Sequence, residues 1–265
     1  MKYYVVSDVH GFYTETLRAL TEAGFFEEKE PHKLVICGDL LDRGKEAIEM
    51  QDFALHLLRE DKLIYVRGNH EDLISKMLYS LDDIVENMNR SDYFHVTNGT
   101  WDSALQLSGM EHSMAICRPD ALVNRVKNTV FYKKLLPATV DFFETEHYIF
   151  VHGWIPCGTT SEKPSYRLDA GAFYDPNWRK ASSERWYYAR WYNGMEVCYA
   201  NKIREEGKTI VCGHWNASFG HSMIEGKGSQ FGEDADHSPF YGDGIIAIDA
   251  CAYASKKVNC IVIED

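Results

Sequence analysis

Three short polar runs each close a stretch of branched and aromatic residues. Asp8-Val9-His10-Gly11 follows residues 3–6, Gly38-Asp39-Leu40-Leu41-Asp42-Arg43-Gly44 follows residues 33–37, and Arg67-Gly68-Asn69-His70-Glu71 follows residues 62–66. Two later runs, Val151-His152-Gly153-Trp154 and Cys212-Gly213-His214-Trp215, repeat the pattern. Carboxylates, imidazoles and an amide oxygen are the donor types that divalent cations take. The glycines beside them permit sharp turns and close backbone approach. The set Asp8, His10, Asp39, Asn69, His152 and His214 contains no thiolate. Such donors suit zinc, manganese or iron, whereas magnesium and calcium favour all-oxygen shells. Six donors exceed one tetrahedral site, and suit two ions sharing a bridging carboxylate about 3.5–4 Å apart, as in two-metal hydrolases.

For these side chains to meet, their elements must end at one place. Apolar strand-like runs at 3–6, 33–37 and 62–66 alternate with helical spacing through Thr16-Leu17-Leu20 and through Ala47-Ile48-Met50-Phe53-Ala54-Leu57-Leu58. Strand, helix, strand, helix, strand in units of about 30 residues predicts right-handed βαβ crossovers and a largely parallel sheet. Asp8, Asp39 and Asn69 recur with that unit and so fall at the carboxyl edge, where open α/β sheets bind ligands. Strands are predicted again at 148–151, 209–212, 244–248 and 258–263, with a mainly helical, irregular stretch over 72–146. The fold class expected is α/β: two mixed β-sheets in a sandwich flanked by helices. A single domain is expected over 1–265, with 72–146 as an insertion or lid within it.

The 265-residue chain is 45% hydrophobic and 26% charged, the composition of a globular domain with a sizeable core. Its net charge of -12 disfavours a nucleic-acid partner, which calls for a basic face. An anionic substrate therefore needs a local cationic centre. No apolar run reaches the ~18 residues of a membrane span, and the start lacks a cleavable-signal pattern, so no membrane partner and a cytoplasmic location are expected. Seven cysteines, an odd number without a CxxC pair, argue against a disulfide framework and a thiolate zinc site. A dinucleotide-binding oxidoreductase shares the early rhythm but needs GxGxxG after the first strand, which is missing.

The series Asp8-x-His10-Gly11, Gly38-Asp39-x-x-Asp42-Arg43-Gly44, Gly68-Asn69-His70-Glu71, His152-Gly153 and Gly213-His214 resembles the calcineurin-like metallophosphoesterases. The Asp-Arg-Gly ending of the second motif and the Glu closing the third resemble the phosphoprotein-phosphatase branch. The tail Ile248-Asp249-Ala250-Cys251-Ala252-Tyr253 resembles the closing strand of bacterial members, which include protein phosphatases and symmetrical diadenosine tetraphosphatases.

The resemblance implies a phosphoesterase dependent on two divalent transition-metal ions (Mn, Fe or Zn), cleaving phosphate esters by attack of a metal-bridging hydroxide. It assigns Asp8 and His10 to the first metal, Asp39 to the bridge, and Asn69, His152 and His214 to the second. His70 is implied as general acid oriented by Asp42, and Arg43 as a phosphate clamp. Arg190 is the candidate for a second clamp, with Arg167, Arg179 and Arg185 as rivals. The implied substrate is a phosphorylated protein or a nucleotide: protein phosphatase first, dinucleoside polyphosphate hydrolase as the alternative. A catalytically silent metal-binding module is the reading of another class; its signature, loss of Asp42, Arg43 or His70, is missing. Trp154 and Trp215 depart from the small residue and the threonine common at their positions, which predicts an altered pocket. The aromatic stretch from Phe173 to Tyr192 reads as a core or lid helix, or as a stacking wall for an adenine or phosphotyrosine ring. Glu71 is expected to cap a helix.

Overall fold

A computed structural model describes residues 1–87, 90–160, 165–169 and 171–265. The first sheet contains β1 (Lys2–Val6), β2 (His32–Cys37), β3 (Leu63–Val66) and, after a second sheet has formed, β9 (Ile261–Glu264). Its order is β3-β2-β1-β9, with β1, β2 and β3 parallel and β9 antiparallel to β1. Helices α1 (Tyr13–Glu22) and α2 (Ala47–Arg59) make the two crossovers that the sequence rhythm predicts. The second sheet contains β4 (Phe143–Glu144), β5 (Tyr148–Phe150), β6 (Thr209–Cys212), β7 (Phe240–Gly242) and β8 (Ile245–Ala247), in the order β4-β5-β6-β8-β7. Strands β5, β6 and β8 run parallel, and the two edge strands antiparallel. Each sheet thus has a parallel core of three strands, a partial mirror of the other.

Alternation along the strands builds three apolar layers. Val5, Val35, Cys37 and Val66 face Phe150, Val211 and Ile248 between the sheets. Val6, Leu34 and Ile36 point the other way, into a core shared with Leu20, Met50, Met77, Trp101, Leu122 and Val126. Ile149, Val151, Ile210 and Cys212 face outward from the second sheet against Trp154, Trp178 and Trp186. Strands buried on both faces read as unbroken apolar runs, which is why they were legible. The edge strands β4 (Phe-Glu) and β7 (Phe-Tyr-Gly) were not predicted, because neither carries the branched apolar run that marks β5 and β8. Helices of 72–146 supply Met77, Trp101, Leu122 and Val126 to the first core, so this stretch packs as part of the sandwich. All seven cysteines are unpaired, and among the described residues no helix is long and apolar enough to cross a membrane.

Candidate metal centre

Every parallel strand delivers polar residues just past its carboxyl end. Asp8 and His10 follow β1, Asp39 and Asp42 follow β2, and Asn69 and His70 open helix α3 (Asn69–Tyr79) after β3. His152 follows β5, His214 follows β6 and Asp249 follows β8. These turns are forced. Asp8, His10, Asp39, Asp42, Arg43 and His214 all have positive φ, between 47° and 80°. Such a backbone costs of order 1–3 kcal/mol per non-glycine residue, and persists where the surroundings over-determine it. Gly68 completes the crowding: a Cβ there would lie 2.6 Å from the Asp39 nitrogen and 2.8 Å from Glu71 Oε2.

Asp39 is the hub. Its Oδ2 lies 3.6 Å from His10 Nε2, and its Oδ1 lies 3.4 Å from His152 Nε2. One carboxylate thus faces two imidazoles with its two oxygens. Two groupings of possible ligand atoms share it, His10–Asp39–His70 and Asp39–His152–His214. Asp8 is 3.9 Å from His10 Nε2 through Oδ1, while its Oδ2 accepts from Ser7 Oγ and from the His214 backbone N–H (2.9 Å).

The far nitrogen of each proposed histidine ligand is already engaged. His10 Nδ1 donates to the Leu41 carbonyl at 3.0 Å, His152 Nδ1 to the Cys37 carbonyl at 2.8 Å, and His214 Nε2 to the Trp191 carbonyl at 3.1 Å. These bonds fix the tautomers and leave the other nitrogen of each ring as a lone pair. His152 Nε2 and Asn69 Oδ1 then face each other at 2.6 Å, both as acceptors, an arrangement a cation would reconcile. The electrostatics agree. Burial pushes Asp8 up to about 6 and Asp39 well above the usual carboxylate range, with the neighbouring acids adding to it. Burial also pulls His152 down to about 4, and His10 and His214 well below the ordinary imidazole range. The donor set disfavours its own charges and offers neutral nitrogens and crowded oxygens, so it fits divalent cations.

His70 stands apart although it lies in the first grouping. Its Nδ1 and Asp42 Oδ2 are 2.6 Å apart, its Nε2 is 3.4 Å from Arg43 Nη2, and its backbone N–H donates to Asp39 Oδ1 at 3.0 Å. A guanidinium against Nε2 competes with a cation at that atom. Asp42 is itself fixed by the Thr100 hydroxyl at 2.9 Å. Burial raises Asp42 to about 6, while burial and then Arg43 pull His70 well below the ordinary range. The bond to Asp42 orients the ring so that Nε2 faces Arg43.

Arg43 is exposed, stands over the Tyr253 ring at 5.4 Å, and lines a cavity of about 400 Å³ with His214, Trp215 and Asp249. Arg190 is not drawn into the ligand cluster. Its Nη1 donates to Asp72 Oδ2 at 2.7 Å and its Nη2 pairs with Asp141. Arg179 is likewise held by Glu144 and Glu205, and Arg185 by Asp175. Trp154 is fully buried in the outer core of the second sheet, whereas Trp215 lines the cavity.

Sequence reasoning gave two residues less than their full part. Asp249 is 5% exposed and is pushed up to about 8 by burial and then by Asp8. Its signal was its place directly after the third parallel strand of the second sheet, the position shared by every other candidate. Glu71 does cap α3, but it also does more. Its carboxylate accepts from the backbone N–H groups of Asp39, Leu40 and Gly68 and from the Tyr65 hydroxyl, at 2.6–3.0 Å. It ties the β2 and β3 turns together.

Parallel strands from two facing sheets, ending at a carboxylate-centred cluster of imidazoles, define a metallophosphoesterase fold and site. The profile of the calcineurin-like phosphoesterase family matches residues 1–248, and the chain belongs to that family. Over 91 residues it is 35% identical to serine/threonine-protein phosphatase 1 of Salmonella typhimurium, covering 34% of this chain and 39% of that protein. Over 78 residues it is 32% identical to an asymmetrical bis(5'-nucleosyl)-tetraphosphatase of Anoxybacillus flavithermus, covering 27% of this chain and 32% of the relative. The matched segments thus span about a third of these curated relatives. A solved mutant of a cold-active protein tyrosine phosphatase superposes with a TM-score of 0.52 at 16% identity, covering 100% of this chain and 75% of that one; it shares the fold.

Proposed function

We propose that this protein is a phosphoesterase that hydrolyses phosphate esters or anhydrides with two divalent transition-metal ions, manganese, iron or zinc. The observation that carries this is Asp39, whose two oxygens face His10 and His152 separately. Asp8 and His10 would hold one ion, Asn69, His152 and His214 the other, and Asp39 both. When bound, such ions supply a nucleophile by lowering the pKa of water and stabilise charge on the phosphoryl group.

The chain's own residues perform the remaining work. Arg43 presents a planar guanidinium that can fork onto two phosphate oxygens. His70 gives a proton from Nε2 to the leaving oxygen, while Asp42 and Thr100 hold its ring in place. Phosphoserine and a nucleotide present the same group to this centre, so what separates them must lie beside it. Similarity to the Salmonella phosphatase favours the phosphoprotein, and similarity to the tetraphosphatase the nucleotide. The class-level test is hydrolysis of p-nitrophenyl phosphate by the chain with manganese. Turnover that needs the metal and disappears in Asp39→Asn is expected; turnover unchanged by chelation would sink the proposal.

A further inference from the structure

One concave site borders the metal centre through His214. This pocket of about 480 Å³ shares His214 and Trp215 with the Arg43 cavity. Its walls are aromatic. Tyr166 and Trp191 meet edge-on at 5.4 Å, and Trp215 and Phe219 at 6.4 Å. The His214 ring lies between the two indoles, with centroids 5.7 Å from Trp191 and 6.1 Å from Trp215. Ligand pockets typically measure ~300–1,000 Å³ and combine apolar walls with a few polar groups, as here.

Resting on the phosphoesterase reading, we propose that this pocket binds the nucleobase of a nucleoside phosphate whose phosphate lies on the metal centre. The rim supports a base rather than a phenol ring. Glu196 and Arg167 line the same pocket, giving a carboxylate for an exocyclic amino group and a cation for a further phosphate. Arg179, Arg185 and Arg190 are each paired with carboxylates. Arg167 has no carboxylate partner among the described residues. A phenyl phosphate offers neither ring heteroatoms nor a second phosphate, so it would leave both rim groups unused. The departure at Trp215, which the sequence marked beside a proposed ligand, supplies one stacking face.

The test uses the full, manganese-loaded chain and competition against p-nitrophenyl phosphate. Adenosine 5'-phosphate should inhibit roughly tenfold more tightly than inorganic phosphate, as stacking of one base allows. Phenyl phosphate should show little of that advantage. In Trp191→Leu the ratio of the two inhibition constants should fall towards one, and the conservative Glu196→Gln should lower it in part. Because the ratio is internal to each variant, altered turnover does not disturb it. Equal inhibition by adenosine 5'-phosphate and phosphate, or a ratio preserved in both variants, overturns the pocket. Phenyl phosphate matching the nucleotide shows a phenol site and overturns the nucleobase. Absence of any metal-dependent turnover would refute the phosphoesterase reading instead. In that case quenching of tryptophan fluorescence by adenosine 5'-phosphate, lost in Trp191→Leu, still decides the pocket: quenching lost with Trp191 supports it, and none overturns it.

Discussion

Two charged clusters border the second sheet, and they treat charge in opposite ways. At its edge, Arg179 makes two hydrogen bonds to Glu144, at 2.8 and 2.5 Å, and one to Glu205 at 2.9 Å, while Lys208 adds a contact to Glu144 at 2.8 Å. Arg179 pulls the Glu144 carboxyl down to about 2, overcoming partial burial. Where the carboxyl ends of its parallel strands meet those of the first sheet, Asp8, Asp39 and Asp249 are all pushed up and the imidazoles beside them pushed down. The first cluster contains its own counter-ions. The second gathers acids and neutral nitrogens around space for cations that the chain does not supply. Matched charge is a structural device, whereas unmatched buried charge on strained turns marks where a ligand completes the protein.

The largest expected effect separates two neighbours inside the unmatched cluster. General acid assistance is typically worth ~10²–10⁴-fold, so His70→Asn should slow hydrolysis of an alkyl phosphate by roughly that range. The loss should shrink with p-nitrophenyl phosphate, whose leaving group needs little protonation, and bound metal should be unchanged by elemental analysis. Asn69→Ala should instead weaken metal retention and slow both substrates alike. If His70→Asn strips metal or slows both substrates equally, His70 belongs with the ligands, and its contact with Arg43 was misread.

Next in size is the response to metal. A ligand at 100 times its dissociation constant stabilises a site by ~2.7 kcal/mol, which for a chain of this size is roughly 5–10 °C in Tm. Manganese should raise the melting temperature of the wild type by about that much. Asp39→Asn should remove most of the rise and also stabilise the metal-free protein, because it deletes a carboxyl whose charge is disfavoured by burial and then by Asp8 and Glu71. Asp8→Asn should retain more of the response, since it faces one side only. A metal-free Asp39→Asn protein less stable than the wild type would mean that Asp39 is structural, and would break the contrast between the clusters.

That the candidate residues would gather at strand ends was legible in the sequence, for physical reasons. Asp8, His10, Asp39, Asn69, His152 and His214 stand beside glycines at the ends of apolar runs, and one sequence shows both signals together. Parallel pairing of β1, β2 and β3 followed from the unit length, since parallel strands need a crossover. What could not be read depends on contacts between distant segments. Arg190 carries no sign in the sequence that Asp72 and Asp141 will take its guanidinium. Nor does Thr100, 58 positions from Asp42, announce that it will bond it. The stretch from Phe173 to Tyr192 divided: Trp178 and Trp186 went to the core, while Trp191 lines the pocket, a split that one-dimensional spacing does not contain.

The smallest effect tests the matched cluster. Arg179 also lies over the Trp178 ring at 4.3 Å, so replacing it with alanine would remove packing along with charge. Arg179→Met keeps most of the stem and deletes the cation. Glu144 is depressed in the folded protein to about 2 from an ordinary 4.5. Its contribution is therefore complete above about pH 4.5 and is lost as pH falls through about 2. Partial exposure screens the pair, which holds the expected difference at neutral pH to about 1 kcal/mol. Urea unfolding of metal-free wild type and Arg179→Met should show that gap at neutral pH and a progressively smaller one below about pH 4.5. Taking the difference cancels protonation of the metal ligands, which both proteins share. A gap independent of pH would reduce the pair to packing against Trp178. A gap that grows on acidification would reverse the sign of the charge argument, and with it the distinction between a cluster that holds its own counter-ions and one that waits for them.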